Sequence, residues 1–215
     1  MHRMLLRKTG SAVWMSHLDF MRLMQRAFRR AGVLLHHSQG YTPHAYVSML
    51  LPLSVGMESV CEIMDYEIDG QFAITPGQMN AVLPDGVRVL EIYESGRKAK
   101  LLTHLQVELT LQYDSGVPEQ AQPQLGELFS RQSLPVEKRT KRGDEETDIR
   151  PLIQSLSVIR RQDTLCLTAV VCAQNPALNP ALLVAAIERY LPRCKPDAVR
   201  YCRREVYDAE GEIFR

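Results

Sequence analysis

Four arginines and a nearby group of imidazoles and phenols are the residues of this chain best equipped for chemistry. Arg22, Arg26, Arg29 and Arg30 recur at spacings of three and four, and His36, His37, Tyr41, His44 and Tyr46 follow closely. Guanidinium stays charged at neutral pH and offers a planar fork that suits phosphate. Phenol and imidazole rings stack on bases and bond their edges. Together they suit a ligand that is anionic and planar. Plainer roles exist for each: an arginine-rich helix face is ordinarily solvated, and a loop histidine ordinarily bonds nearby backbone. Charge segregation favours binding. Residues 1–46 hold seven Lys and Arg against one acid, Asp19, with five of the six histidines. Residues 47–95 hold one Arg, Arg88, and eight acids, so a net charge of +1 hides a polarised half. Such separation focuses potential on one side of a domain.

Other chemistries find little support. There is no GxGxxG, no GxxxxGK[ST] and no HExxH, so glycine-loop nucleotide binding and zincin-type hydrolysis lack their motifs. His36, His37 and His44 offer nitrogen ligands, but no carboxylate or thiol in that loop completes a metal site. Cys61, Cys166, Cys172, Cys194 and Cys202 are odd in number, widely spaced and without a CxxC. That spacing fits buried free thiols better than a zinc or iron–sulfur centre. No cofactor is expected. Ser38, His44 and Asp65 form a triad only on paper, because no nucleophile elbow presents the serine. Histidine beside arginine is compatible with acid–base cleavage of RNA.

The arginines need a helix to space them. Ser16 suits its N-cap, with Asp19 reaching back as in a capping box. Phe20, Leu23, Met24, Ala27 and Ala31 make its inward face, and Gly32 stops it. HRMLLRKT reads as a strand before it. AYVSMLLPLSVG reads as an edge or bulged strand interrupted at Pro52, and VCEIMDYEID as a third strand. A short helix capped by Thr75 with Pro76 at its first position and the strand VRVLEIYES complete the set. The order is β-α-β-β-α-β.

SGRKAK (95–100) is the linker. Beyond it LQVELTLQYD alternates cleanly, a weaker helix over about 119–131 contains Pro123 and Gly126, and LPVEKRT is a candidate strand. KRGDEETD (141–148) reads as a charged loop before DIRPLI. SLSVIRR and TLCLTAVVCA form a hairpin around Gln162 and Asp163, Asn179 caps a helix to Tyr190, and AVRYCRREVYD closes the chain. The expected class is α+β, two tandem ferredoxin-like sandwiches over 1–95 and 101–215. No apolar run reaches the roughly 20 residues needed to span a bilayer, and the first residues lack a signal-peptide core. The expected location is cytoplasmic.

Two charged pairings are expected to be structural. Glu62 shares a strand face with Val60, Met64, Tyr66 and Ile68 beneath the first helix, where a carboxylate needs a partner; Arg26 or Arg30 is the expected one. Pro151 holds Arg150 extended, which sets Asp148 and Arg150 on one side of the chain to tie the charged loop to the domain interface.

SHLDFMRLMQRAFRRAG, SQGYTPHAYVSMLLPLSVGMES, DIRPLI and NPALNPALLVAAIERYL together resemble the radical-SAM-linked family. This is a domain of unknown function found beside, or fused to, a cobalamin-domain radical SAM protein. Where members often carry S-x-G-F-x-P-x-P, this chain has Ser38-Gln39-Gly40-Tyr41-Thr42-Pro43-His44-Ala45. The resemblance implies a radical SAM partner that brings its own iron–sulfur cluster, and a connection to RNA or ribosome biology. The expected function is a non-catalytic accessory module that binds RNA through the arginines, histidines and tyrosines named above. The alternatives are an endoribonuclease of tandem ferredoxin-like fold and a pure protein-docking subunit.

Overall fold

The structure is a computed structural model that describes residues 2–70, 73–140 and 143–215. The chain divides into two compact units. The first runs through Leu101 and takes in Arg215, and the second runs from Leu102 to Phe214.

The first unit holds β1 (His2–Lys8), α1 (His17–Arg30), β2 (Val47–Met49), β3 (Met57–Tyr66), α2 (Pro76–Asn80) and β4 (Val87–Glu94). Its strands lie in the order β4-β1-β3, with β2 on β3, and all of these pairings are antiparallel. Met4 stands opposite Met64 on one side and Ile92 on the other. Side chains alternate across a strand, so Met4, Leu6, Met64 and Tyr66 fall on one face, where they meet Phe20, Met24, Ala27 and Phe28 of α1 in the core. Phe28, which the inward stripe read from the sequence omits, is fully buried with its ring centroid 4.9 Å from that of Tyr66.

The ends of α1 and α2 follow local chemistry. The Ser16 hydroxyl accepts the Asp19 N–H at 3.2 Å and donates to the Asp19 carboxylate at 2.7 Å. The box is thus closed through the side chain of Asp19 and the cap hydroxyl. Gly32 leaves the helix at φ +77°, a left-handed conformation that costs glycine nothing. In α2 the full reciprocal box forms between Thr75 and Gln78.

The second unit holds β5 (His104–Gln112), α3 (Ala121–Phe129), β6 (Pro135–Thr140), β7 (Gly143–Asp148), β8 (Ile153–Arg161), β9 (Thr164–Cys172), α4 (Ala181–Tyr190) and β10 (Ala198–Tyr207). Four strands run β10-β5-β9-β8, antiparallel throughout. Leu105, Val107, Leu109 and Leu111 of β5 are buried, as strict alternation requires. Gln162 takes the left-handed turn position at φ +46°. The Asn179 carboxamide accepts the Ala181 N–H at 3.0 Å at the start of α4.

Four readings of the sequence are corrected. The expected long second strand shrinks to three residues, because the chain leaves the ladder before Pro52, which has no N–H to give. Most of the expected charged loop is β7, paired with β6 from Pro135↔Asp148 to Thr140↔Gly143; residues 141 and 142 lie outside the described residues. Pro123 does no damage to α3, since it falls in the first turn, whose N–H groups have no partner within the helix. Finally, Glu62 is buried at 2% exposure, but a cation that feels its field is Lys8 of the neighbouring strand, and neither Arg26 nor Arg30 pairs with it. The Lys8 ammonium donates to the Met15 carbonyl at 2.8 Å and lies 5.8 Å from the centre of the Phe20 ring. Burial pulls its pKa down and the field of Glu62 opposes that fall.

Candidate nucleic-acid interface

The helix sorts its four arginines into different roles. Arg22 pairs with Asp19 at 3.4 Å, both side chains well exposed, so the pair is screened and worth less than about 1 kcal/mol. Arg30 donates to the Val82 carbonyl at 2.7 Å and so braces the helix against the chain after α2. Arg26 and Arg29 are exposed, and among the described residues neither side chain has a hydrogen bond or ion pair. With Arg22 they recur at i, i+4 and i+7, along one flank.

After Gly32 the chain folds into a small irregular hairpin. Val33 and Leu35 are buried and anchor it, and Leu35 bridges Ile68. His36 N–H donates to the Glu67 carbonyl at 2.9 Å, Tyr46 N–H to the His36 carbonyl at 2.8 Å, and Ser38 N–H to the His44 carbonyl at 2.9 Å. Residues 39–43 form the exposed tip, with Tyr41 wholly in solvent. The His36 ring donates from Nδ1 to the Asp69 carboxylate at 2.6 Å and stacks on Tyr46, with ring centroids 5.3 Å apart. His44 Nδ1 meets the Ser38 hydroxyl at 2.9 Å, and its ring lies 6.1 Å from Tyr46. His37 Nδ1 donates to the Leu35 carbonyl at 2.7 Å.

Four of the nine predicted residues, Arg29, His37, His44 and Tyr46, line two grooves. One, of about 220 Å³, is lined by Gln25, Arg29, Leu34, His37, Ala45 and Asp69 among others. The second, of about 270 Å³, is lined by His44, Tyr46, Val47, Asp65, Tyr66 and Glu67, again with Ala45. Tyr66 is buried, and burial pushes its phenol up to about 12. Arg22, Arg26, Arg30, His36 and Tyr41 line neither groove.

Two of the seven cations in residues 1–46 lie in the interior. Arg3 is 1% exposed and grips Asp65 twice, Nε to Oδ1 at 2.6 Å and Nη2 to Oδ2 at 3.0 Å. Lys8 is the other. The outward positive potential is thus smaller than the count of residues suggests. Asp65 gives both oxygens to Arg3, so it does not orient His44, and Ser38–His44 stays a pair without a third member. Among the described residues no cluster of three or more His, Cys, Asp or Glu side chains is placed to hold a metal. Nor is any helix among them long and apolar enough to cross a membrane.

Asp148 and Arg150 lie elsewhere, at the root of the β6–β7 hairpin. The Asp148 carboxylate accepts the Leu134 N–H at 2.7 Å, the Arg150 N–H at 3.0 Å and the Ser133 hydroxyl at 2.7 Å, while the Arg150 guanidinium donates to the Ile153 carbonyl at 2.9 Å. The two side chains bond other groups and not each other, and Arg150 opens a 3₁₀ turn, Arg150–Leu152, instead of the extended segment expected before Pro151. Sequence reasoning missed Glu67 and Asp69, which look like ordinary strand-end acids until the hairpin folds beside them. It also missed Trp14, 73% exposed just before α1, for which no pattern gave a signal.

The class defined by these elements is α+β. The chain belongs to the family described as "Uncharacterized protein conserved in bacteria (DUF2344)", whose model matches residues 2–180. No curated protein matches it. A chain in a crystal structure of a Cbf5–Nop10–Gar1 complex is similar in fold, with a TM-score of 0.54 at 8% identity. The match covers 95% of this chain and 48% of that one, so this chain spans about half the length of its structural neighbour.

Proposed function

We propose that the protein is an accessory module that binds single-stranded RNA along the flank of α1 and the hairpin beside it, working with a radical SAM enzyme. Both units are read as ferredoxin-like sandwiches. The orders β4-β1-β3-β2 and β10-β5-β9-β8, each with two helices in the chain between strands, support that reading. The observation that carries the RNA reading is the pair Arg26 and Arg29. They are exposed and without side-chain partners among the described residues, and Arg29 shares a groove with His37. A phosphate contact releases counterions, so affinity falls with salt at a slope of about 0.7 per contact on single strands. Replacing Arg26 and Arg29 together by alanine lowers that slope by about 1 to 1.5 units and leaves folding intact, because both side chains point away from the core. Titration of a fluorescent RNA across a salt series is the test. Wild type that fails to bind at low salt, beside partner capture lost in the double variant, replaces this reading with a protein-docking one.

A further inference from the structure

The second groove is unsuited to phosphate. Its lining holds no Arg or Lys, and its carboxylates are Asp65 and Glu67. Asp65 is already answered by the two-pronged grip of Arg3. The Glu67 side chain is half-buried and, among the described residues, has no hydrogen bond or ion pair. Its backbone is fixed on both sides: Glu67 N–H donates to the Tyr46 carbonyl at 2.9 Å, and its carbonyl accepts His36 N–H. The carboxylate therefore rises from a fixed stretch of backbone into a groove that it shares with Asp65, Tyr46, Tyr66, Val47, Ala45, His44 and Ser48.

A carboxylate only accepts hydrogen bonds. Set against aromatic surface, it selects a flat ligand with two adjacent N–H donors. Among the bases, the Watson–Crick edge of guanine carries N1–H and N2–H side by side. Adenine and cytosine place a ring-nitrogen acceptor there, and uracil places one N–H between two carbonyls. The groove volume of about 270 Å³ is at the low end for ligand pockets, which suits a base rather than a whole nucleotide. A guanidinium presents similar donors but brings no phosphate, whereas the neighbouring groove offers one the exposed Arg29 guanidinium. Ala45 lines both grooves, so a strand with its base in the one that holds Glu67 has phosphate within reach of Arg29, which lines the other together with Asp69.

We propose that the groove lined by Tyr46, Tyr66 and Glu67 is a guanine pocket, in which the Glu67 carboxylate accepts N1–H and N2–H of a single-stranded guanine. This deepens the RNA-binding reading and rests on it. Tyr46, 44% exposed and backed by the stacked His36 ring, supplies the aromatic surface.

The test uses the full chain and short single-stranded RNAs of uridine that differ at one central base. Guanine should bind tighter than adenine by about tenfold or more, the discrimination expected of a two-bond base contact. Inosine, which lacks the 2-amino group, should fall between them. Glu67→Gln should erase the guanine preference while the all-uridine strand binds as before. Equal binding of guanine and adenine strands, or a preference that survives Glu67→Gln, overturns the pocket and leaves the RNA reading standing. Should no strand bind at low salt, the RNA reading fails, and titration with 5′-GMP alone judges the pocket. Guanosine-specific NMR shifts lost in Glu67→Gln uphold it, and their absence overturns it. An arginine-rich peptide that binds through Glu67 where 5′-GMP does not overturns it in favour of a peptide site.

Discussion

Replacing Asp148 by alanine should unfasten the β6–β7 hairpin. The carboxylate holds three donors at once, two of them backbone N–H groups on either side of the hairpin root. Leu134 is fully buried, so its N–H loses its partner in a place water reaches poorly. An orphaned buried donor costs about 1–3 kcal/mol. The bonds from Arg150 and Ser133 are exposed and add only a few tenths each after solvent screening. The expected loss is about 2 kcal/mol, and Asp148→Asn, which keeps an acceptor at Oδ1, should lose about half as much. The Leu134 N–H holds this carboxyl below the usual carboxylate range. A depressed acid pKa contributes stability above the unfolded value of about 3.9 and loses it as pH falls through the folded value. The gap between wild type and Asp148→Ala should thus be full near neutrality and narrow in acid toward the smaller gap expected of Asp148→Asn, because a protonated carboxyl still accepts the Leu134 N–H. Urea unfolding at a series of pH values measures it, and hydrogen exchange at the Leu134 amide locates it. A neutral-pH difference under about 0.5 kcal/mol, or a gap that stays constant into strong acid, refutes the reasoning.

Other outcomes follow from single contacts. Gly86→Ala should cost about 2 kcal/mol or more in thermal or urea unfolding, because the residue sits at φ +85° and a Cβ there would lie 2.4 Å from the Thr9 carbonyl; a neutral effect would contradict that packing. Cys172 is half-exposed while the other four cysteines are buried, so mass spectrometry after brief maleimide treatment should find a single label, at Cys172. Tyr66 and Tyr113 are pushed up to about 12 by burial. Their raised pKa values contribute stability that is complete below the unfolded value of about 10 and is lost as pH rises through about 12. Phenolate absorbance of the folded protein should therefore rise in two stages, and a single stage near 10 would argue against their burial.

The elements were legible where local rules decide them. Ser16 and Gly32 bound α1, Thr75 and Pro76 open α2, and the alternation from Leu105 to Leu111 fixes β5, because caps and period-2 patterns act within a few residues. What escaped was partner choice. Glu62 was expected to reach the nearest arginines in the sequence of the helix, yet strand pairing sets it opposite Leu6 and near Lys8, a proximity that only the β1–β3 register creates. Arg3 counts as surface charge in any composition and is buried for the same reason. The residues 144–148 look like solvated loop because acidic strands facing water lack an apolar signal; pairing with β6 makes them a strand. The basic flank of α1 could be read from its spacing, whereas Glu67 comes to line a groove only through the hairpin that folds against it.

The β6–β7 hairpin takes no place in the strand order β10-β5-β9-β8. It is moored to a helix instead: the Tyr190 hydroxyl donates to the Pro135 carbonyl at 2.8 Å, and Arg189 pairs with Glu146 at 2.8 Å. Matched shortening or lengthening of its two arms would leave every register in the larger sheet where it is. Between α3 and β8, then, this chain can gain or lose length while the rest of the unit keeps its alignment.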